Sequence, residues 1–282
     1  MTAGYEFLQV ERQGPVLGVA LNRPDVHNAL NASLIAELTS LFSSLADSGD
    51  GPVGDGDDAG GDDARVVVLS GAGPSFSAGA DLNVMRAAAA ATRAENEEDA
   101  RALPLLLDAI DSCPLPVVAR VHGAALGGAM GLLSVCDVVV AAESALFGFT
   151  EARLGIAPSL ISPYVFRAIG VRQARALFVT GERFDAARAL HIGLVHRVAT
   201  AEGLDDAVAA TVKGVLQCGP FALAACKRLT RVVPTLDEEN ARAFTIETLA
   251  TLREGDEGRE GLRAFLEKRE PSFATTPPAP SA

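Results

Sequence analysis

Two runs of hydrophobic, β-favouring residues, 5–12 (with polar positions interspersed) and 15–21, flank Gly14-Pro15 and predict a β-hairpin. Over 33–47 the pattern takes a helical period. Leu34, Ile35, Leu38, Leu41, Phe42 and Leu45 fall on one face of a helix, with Asn31 or Ser33 available as its cap. Three continuous apolar runs, 65–71, 115–123 and 137–142, are rich in β-branched residues and read as strands buried on both faces. Helical patterns occupy roughly 95–112, 124–136 and 171–179. Strands alternating with helices predict βαβ units and an α/β fold. From about residue 205 no strand pattern remains, and 205–217, 220–230, 236–253 and 257–268 read as helices. The expected organisation is a β/α core over 1–204 and a helical C-terminal region over 205–282, with "TTPPAPSA" as a frayed end.

Composition alters this picture at one place. "DSGDGPVGDGDDAGGDDA" (47–64) holds aspartates among glycines and has almost nothing to bury, so it is expected to be a disordered acidic loop inserted in the core. It lacks the fixed acidic spacing ending in glutamate that a calcium loop needs, and no metal site is expected. The net charge of −12 argues against nucleic acid and against an anionic membrane surface as partners. No uninterrupted apolar run of about 18 residues marks a membrane span, and the N-terminus has no signal-type apolar stretch. Cys113, Cys136, Cys218 and Cys226 form no CxxC pair, which favours reduced thiols and a cytoplasmic location.

Candidate chemistry gathers at two strand–helix junctions. In "LSGAGPSFSAGADLNVM" (69–85) a buried strand ends in a Gly/Ser-rich turn, and a helix starts near Asp81; in "VHGAALGGAMG" Gly127-Gly128 precedes a helix. Helix N-termini carry unpaired N–H groups and the positive end of the helix dipole. With Gly79, Ala80, Gly127 and Gly128 all small, two such junctions could aim two donors at one oxyanion. The same composition also suits tight turns in a packed α/β core. A third stretch, "FGFTEARLGIAPSLISPYVFRAIG" (147–170), places Glu151 beside apolar segments. There it is either a proton carrier with a raised pKa or an exposed loop carboxylate. His122, Cys136 and Asp137 read as structural, and Arg86 and Arg153 as surface ion-pair partners or holders of an acyl carboxylate.

Taken together, "RPDVHNAL", "GAGPSFSAGADL", "VHGAALGGAMGL", "CDVVVAAESALFGFTEARLGIAP" and "EGLRAFLEKREPSF" resemble the enoyl-CoA hydratase/isomerase, or crotonase, superfamily in order and spacing. The closest motifs are those of bacterial methylglutaconyl-CoA hydratase-like members. The resemblance implies a spiral core of repeated ββα turns and a helical C-terminal region used to form trimers, which often pair into hexamers. It implies oxyanion-hole N–H groups at Ala80 and Gly128, with Gly127 permitting close approach. Backbone contacts to CoA are implied around His27, Asn28 and Ala29, and around Ala78, Gly79, Asp81 and Leu82. Phe265 and Lys268 match positions that reach a neighbouring subunit's CoA. No metal or bound redox cofactor is implied, because CoA arrives as part of the thioester substrate. Glu151 matches one of two catalytic glutamates of the well-known hydratases, and Gly131 falls where the other stands. A side chain at 131 would point toward the oxyanion site, so Gly131 is expected to open space and remove charge there, favouring a branched acyl group with its own carboxylate. A hydratase, a Δ3,Δ2-enoyl-CoA isomerase and an acyl-CoA-binding homologue without chemistry all remain open.

Overall fold

The computed structural model describes residues 4–47 and 64–277. The expectation for the acidic 47–64 segment lies outside these residues, apart from its two end positions. The predicted hairpin is β1 (Leu8–Gln13) paired antiparallel with β2 (Val16–Leu21). Helix α1 (Ala32–Asp47) is capped by Asn31, whose Oδ1 accepts the Leu34 N–H at 2.9 Å. The main sheet continues with β3 (Val66–Gly71), β4 (Val117–Val121), β6 (Val138–Ala142) and β9 (Arg197–Ala199) in the order β1-β2-β3-β4-β6-β9, parallel from β2 onward. A second sheet holds β5 (Ala124–Leu126), β7 (Leu146–Gly148) and β8 (Arg183–Asp185), in that order.

The β-branched runs are explained by two cores. Val67, Leu69, Val117, Ala119, Val139 and Ala141 bury one face of the main sheet with α1, α4 (Ala102–Ser112) and α5 (Gly128–Val135). Val66, Val118 and Val140 alternate with them and pack on Leu204, Val208, Val212 and Leu216 of α8 (Leu204–Leu216). The helical region therefore begins where expected, but α8 belongs to the core. The helices beyond it are α9 (Pro220–Val232), α10 (Glu238–Glu254) and α11 (Asp256–Glu267). Lys227 fastens α9 to the sheet through Asp137 (2.7 Å) and the Leu115 carbonyl (2.8 Å). Part of the expected frayed end is anchored: Thr275 N–H donates to Leu216 O, and its carbonyl accepts from the Gln217 side chain.

Other boundaries differ for local reasons. The helix expected over 95–112 is interrupted, giving α3 (Arg93–Asp99) with a Thr92/Glu95 capping box, then α4. Ahead of it, α2 (Leu82–Ala90) starts at the Asp81 cap. The helix expected over 124–136 starts only at Gly128, because Ala124–Leu126 are claimed as strand by pairing with β7. Helix α6 (Ser162–Thr180) extends the expected 171–179 toward the N-terminus, and Gly170, at φ 74°, breaks its regularity. Helix α7 (Ala186–His191) links β8 to β9. The resulting chain path repeats a ββα turn: β4, β5, α5, then β6, β7, α6.

Candidate active site

Three short segments run side by side in the same direction and end together. Ser77 N–H donates to Ala124 O and Leu126 N–H donates to Ser77 O, both at 3.0 Å, so 77–80 lies parallel to β5. Strand β5 pairs in parallel with β7, Leu126 opposite Gly148, and Gly127 N–H donates to Gly148 O at 2.9 Å. Just beyond these ends come Ala80, Gly128 and Glu151.

Hydrogen bonding decides which donors remain available. On the far side of 77–80, Leu30 N–H donates to Gly79 O (2.7 Å) and Leu30 O accepts from Asp81 N–H (3.0 Å). In such a parallel bridge the intervening Ala80 N–H faces away from Leu30, and it finds no protein acceptor among the described residues. Gly128 opens α5, so its N–H is one of the helix's unpaired donors. Two glycines make the approach possible. Gly79 has φ 88° and Gly127 φ 54°, both left-handed. A Cβ on Gly79 would lie 2.6 Å from Leu126 O and 3.4 Å from Gly127 Cα, so the two junctions touch through bare backbone.

Glu151 opens a short 3-10 turn, Glu151–Leu154, closed by Gly155 in the left-handed region. Its carboxylate stands over Gly127: a Cβ built there would be 3.6 Å from Glu151 Oε1 and 3.8 Å from Gly79 Cα. Oε2 is buried and has no hydrogen-bond partner. Burial pushes the Glu151 pKa up, opposed in part by its own backbone N–H. An unpaired buried acceptor of this kind costs on the order of 1–3 kcal/mol. Burial that raises a carboxylate's pKa in this way makes Glu151 a candidate site residue. Two free N–H donors beside a carboxylate of raised pKa can stabilise a developing oxyanion and carry a proton next to it.

The flanking residues brace the site. Asn28 is fully buried: its Oδ1 accepts Arg23 N–H, its Nδ2 donates to the Ala72 and Ser75 carbonyls, and its own carbonyl accepts from Ser77 Oγ. His27 O accepts Ala78 N–H, and Ala29 O accepts the Arg23 guanidinium. The carbonyls of His27, Asn28 and Ala29 each accept one internal hydrogen bond. The exposed His27 imidazole meets Ser75 Oγ at 3.0 Å. The Asp81 carboxylate, 4% exposed as a residue, accepts Asn83 N–H as the cap of α2 and pairs with Arg23 at 2.8 Å. Its pKa is held down first by the Asn83 N–H, then by Arg23. Leu82 is exposed at the start of α2. Arg23, which also stacks over Phe7 at 5.3 Å, was missed by sequence reasoning; an arginine beside a proline turn carries no signal of its partners.

Gly131 requires a correction. It does not open space. A Cβ there would lie 2.5 Å from Ile161 Cγ2, 3.1 Å from Ile161 Cβ and 3.2 Å from Leu107 Cδ1. Two apolar side chains already fill the volume. Arg153, exposed, donates from Nε to Gly181 O at 2.7 Å, so part of its guanidinium braces the end of α6. Arg86 bonds Asn83 on the surface. His122 (to Gly73 O and Arg120), Asp137 (accepting Val117 N–H) and Cys136 (buried) are structural, as expected. Phe265 is 81% exposed on α11, and Lys268 ends that helix in the left-handed region at φ 57°; within one chain neither is brought into the Ala80–Gly128–Glu151 cluster by any contact described. Among the described residues no single helix is long and apolar enough to cross a membrane.

Residues 11–276 match the family model described as enoyl-CoA hydratase/isomerase. The enoyl-CoA hydratase ACTT6 of Alternaria alternata is 32% identical over 267 residues, covering 93% of this chain and 81% of that one. Pseudomonas aeruginosa AtuE superposes with a TM-score of 0.88 at 36% identity, covering 96% of this chain and 100% of that one. A crystal structure of an enoyl-CoA hydratase from Shewanella pealeana gives a TM-score of 0.85 at 35% identity, covering 95% and 96%. Spiral ββα core, paired junctions and these matches over nearly the whole chain lead to one assignment: the chain belongs to the enoyl-CoA hydratase/isomerase family and has its crotonase fold.

Proposed function

We propose that this protein adds water to an α,β-unsaturated acyl-CoA, with Ala80 and Gly128 as the oxyanion hole and Glu151 as the only proton carrier. The observation behind this reading is the unpartnered, buried Oε2 of Glu151 beside the Gly127 backbone. The thioester oxygen accepts from the Ala80 and Gly128 N–H groups. Glu151 takes a proton from water as the water oxygen bonds to C3. The electron pair of the double bond moves to the enolate, whose charge rests on the two N–H donors. The same proton passes from Glu151 to C2, which regenerates the carboxylate. Backbone around His27–Ala29 and Ala78–Leu82 lies along the CoA moiety, which enters with the substrate, and no other cofactor takes part.

The preferred acyl group in this reading is branched and carries its own carboxylate, of the methylglutaconyl type. What supports it is the missing carboxylate at Gly131. Two like charges ~4 Å apart repel by about 4 kcal/mol at an effective dielectric near 20, and this site spares such a substrate that repulsion. Ile161 and Leu107 occupy the rest of that volume, so the branch lies away from Gly131. A single carboxylate also suits a Δ3,Δ2 isomerase that moves one proton between C2 and C4. The kcat/KM ratio for methylglutaconyl-CoA over crotonyl-CoA tests the substrate. A ratio above one supports the assignment, a preference for crotonyl-CoA removes it, and double-bond migration without hydration transfers the site to the isomerase reading.

Assembly belongs to the same proposal. Phe265 and Leu266 expose 81% and 79% of their surface on α11, as expected of a face buried between subunits of a cytoplasmic trimer or hexamer. Sedimentation of an active monomer would exclude it.

A further inference from the structure

Ala80 and Gly128 present backbone groups, fixed by the segments they belong to. Glu151 presents the end of a side chain, and no other described residue holds it. Oε2 has no hydrogen-bond partner, and only the residue's own backbone N–H acts on the carboxylate. Its place over Gly127 therefore depends on the 3-10 turn, Glu151–Leu154. That turn is weakly built. Thr150 opens it without a side-chain cap bond. Gly155 N–H reaches Ala152 O at 3.2 Å and Ile156 N–H reaches Glu151 O at 3.3 Å, and hydrogen-bond geometry in a 3-10 turn is poorer than in an α-helix. Residues 152–157 are all exposed, so no buried side chain among them pins the turn.

Arg153 reaches out of the turn instead. Among the described residues, its bond from Nε to Gly181 O is the one side-chain hydrogen bond that ties 151–156 to the rest of the fold. Gly181 closes α6 in the left-handed region at φ 55°. A Cβ on it would lie 3.3 Å from Arg153 Cγ and 3.5 Å from Nε, so the arginine stem lies against bare backbone. Three residues earlier on the same helix end, Phe178 meets Phe149 edge-on, with ring centroids 4.9 Å apart. Phe149 is buried and leads into the turn. One helix end thus holds the chain carrying Glu151 at two points, by a ring ahead of the turn and by a guanidinium within it.

We propose that Arg153 is a positioning residue for Glu151: through Gly181 it ties the 3-10 turn to the end of α6 and so sets where the carboxylate stands over Gly127. This rests on the proposed role of Glu151 as proton carrier. A displacement of about 1 Å at a reacting group can cost on the order of 10²-fold in rate, and nothing else in the turn resists one.

Two variants isolate the donor. Glutamine carries its amide nitrogen at the same position along the side chain as arginine Nε, so Arg153→Gln keeps an N–H donor and loses the charge. Arg153→Met keeps the apolar stem and loses both. The difference between them is the hydrogen bond. With a 2-enoyl-CoA, kcat should fall by roughly 10–10²-fold in Arg153→Met, with KM within about threefold of wild type because no transition-state-independent binding is removed. Arg153→Gln should keep kcat within about threefold. Unchanged kcat in Arg153→Met overturns the proposal. Equal losses in the two variants overturn it as well, since charge would then be the cause, and a raised KM with kcat unchanged would make Arg153 a binding residue instead. Gly181→Ala presses on the clamp from the other side: it should lower kcat, and combined with Arg153→Met the loss should be smaller than the product of the two. A loss equal to the product contradicts a shared clamp. Amide hydrogen exchange reads the turn without substrate. Gly155 and Ile156 should exchange roughly 2–10-fold faster in Arg153→Met, the worth of one hydrogen bond, and at the wild-type rate in Arg153→Gln; equal rates in all three proteins contradict the clamp. Faster exchange in a protein that hydrates no enoyl thioester leaves the clamp standing and removes the hydratase reading, whereas hydration with kcat and exchange unmoved by Arg153→Met does the reverse.

Discussion

Asp81 and Glu151 are two carboxylates at the rim of one site, one residue beyond the Ala80 donor and over the Gly127 backbone respectively, and the fold treats them in opposite ways. Asp81 caps α2 through the Asn83 N–H and pairs with Arg23, and its pKa is pulled down. Glu151 has one oxygen buried with no partner, and burial pushes its pKa up. Saturating a carboxylate with donors makes it a brace, while withholding donors leaves it free to exchange a proton. The two sit at comparable junctions, so the difference comes from their partners rather than from residue type.

The strongest way to break this comparison is Glu151→Gln, which preserves shape and removes the base. Turnover should fall by about 10²–10⁴-fold, with binding of a saturated acyl-CoA retained. The same variant should melt higher than wild type in the alkaline range. A group whose folded pKa is raised costs stability once pH rises from its unfolded value through the folded one, and Gln escapes that cost; a thermal melt series across pH checks this. Next comes the donor side. Gly128→Pro removes the N–H at the first position of α5, where proline is tolerated, and should lower turnover by roughly 10²–10³-fold; Tm, measured in parallel, separates this from misfolding.

The brace is tested through Arg23→Met, which leaves Asp81 unpaired. Stability should drop by on the order of 1.5–3 kcal/mol, the usual worth of hydrogen bonds to charged groups, with a much smaller effect on turnover than Glu151→Gln; urea melts and kcat measure the two. Its sign with pH is the reverse of that for Glu151. Asp81's depressed pKa stabilises the fold above the unfolded carboxylate value and loses that contribution as pH falls through the folded value, so Arg23→Met should narrow the difference between neutral and acid stability. The smallest effect is in the wild-type pH–rate profile. Its acid limb should lie above the ordinary glutamate value of about 4.3, because the ionised base is lost as pH falls through a raised pKa.

Much of this was legible beforehand. The hairpin, the Asn31-capped α1 and the strands β3, β4 and β6 announce themselves because period and capping are local. The positions of Ala80, Gly128 and Glu151 could be read as strand–helix junctions with small residues and an isolated acid. What stayed hidden depends on partners distant in sequence. Strands β5, β7 and β8 are three residues each, too short for a period, and β5 was absorbed into the helix that follows it. Arg23 acquires its role only when Asp81 and the Ala29 carbonyl come within reach. Gly131 was read as empty because a missing side chain implies room; the packing of Ile161 thirty residues later fills it. The sign of that inference could come only from a distance.

The central claim is that Glu151 delivers water across an enoyl thioester held by Ala80 and Gly128. The most direct measurement is mass spectrometry of the product formed from a 2-enoyl-CoA in oxygen-labelled water, by wild type and by Glu151→Gln at equal thioester occupancy. The account predicts a hydroxyacyl-CoA carrying one labelled oxygen from wild type, and at least about 10²-fold less of it from the variant. Equal labelling by the two proteins, or an isomerised thioester without label, would contradict it.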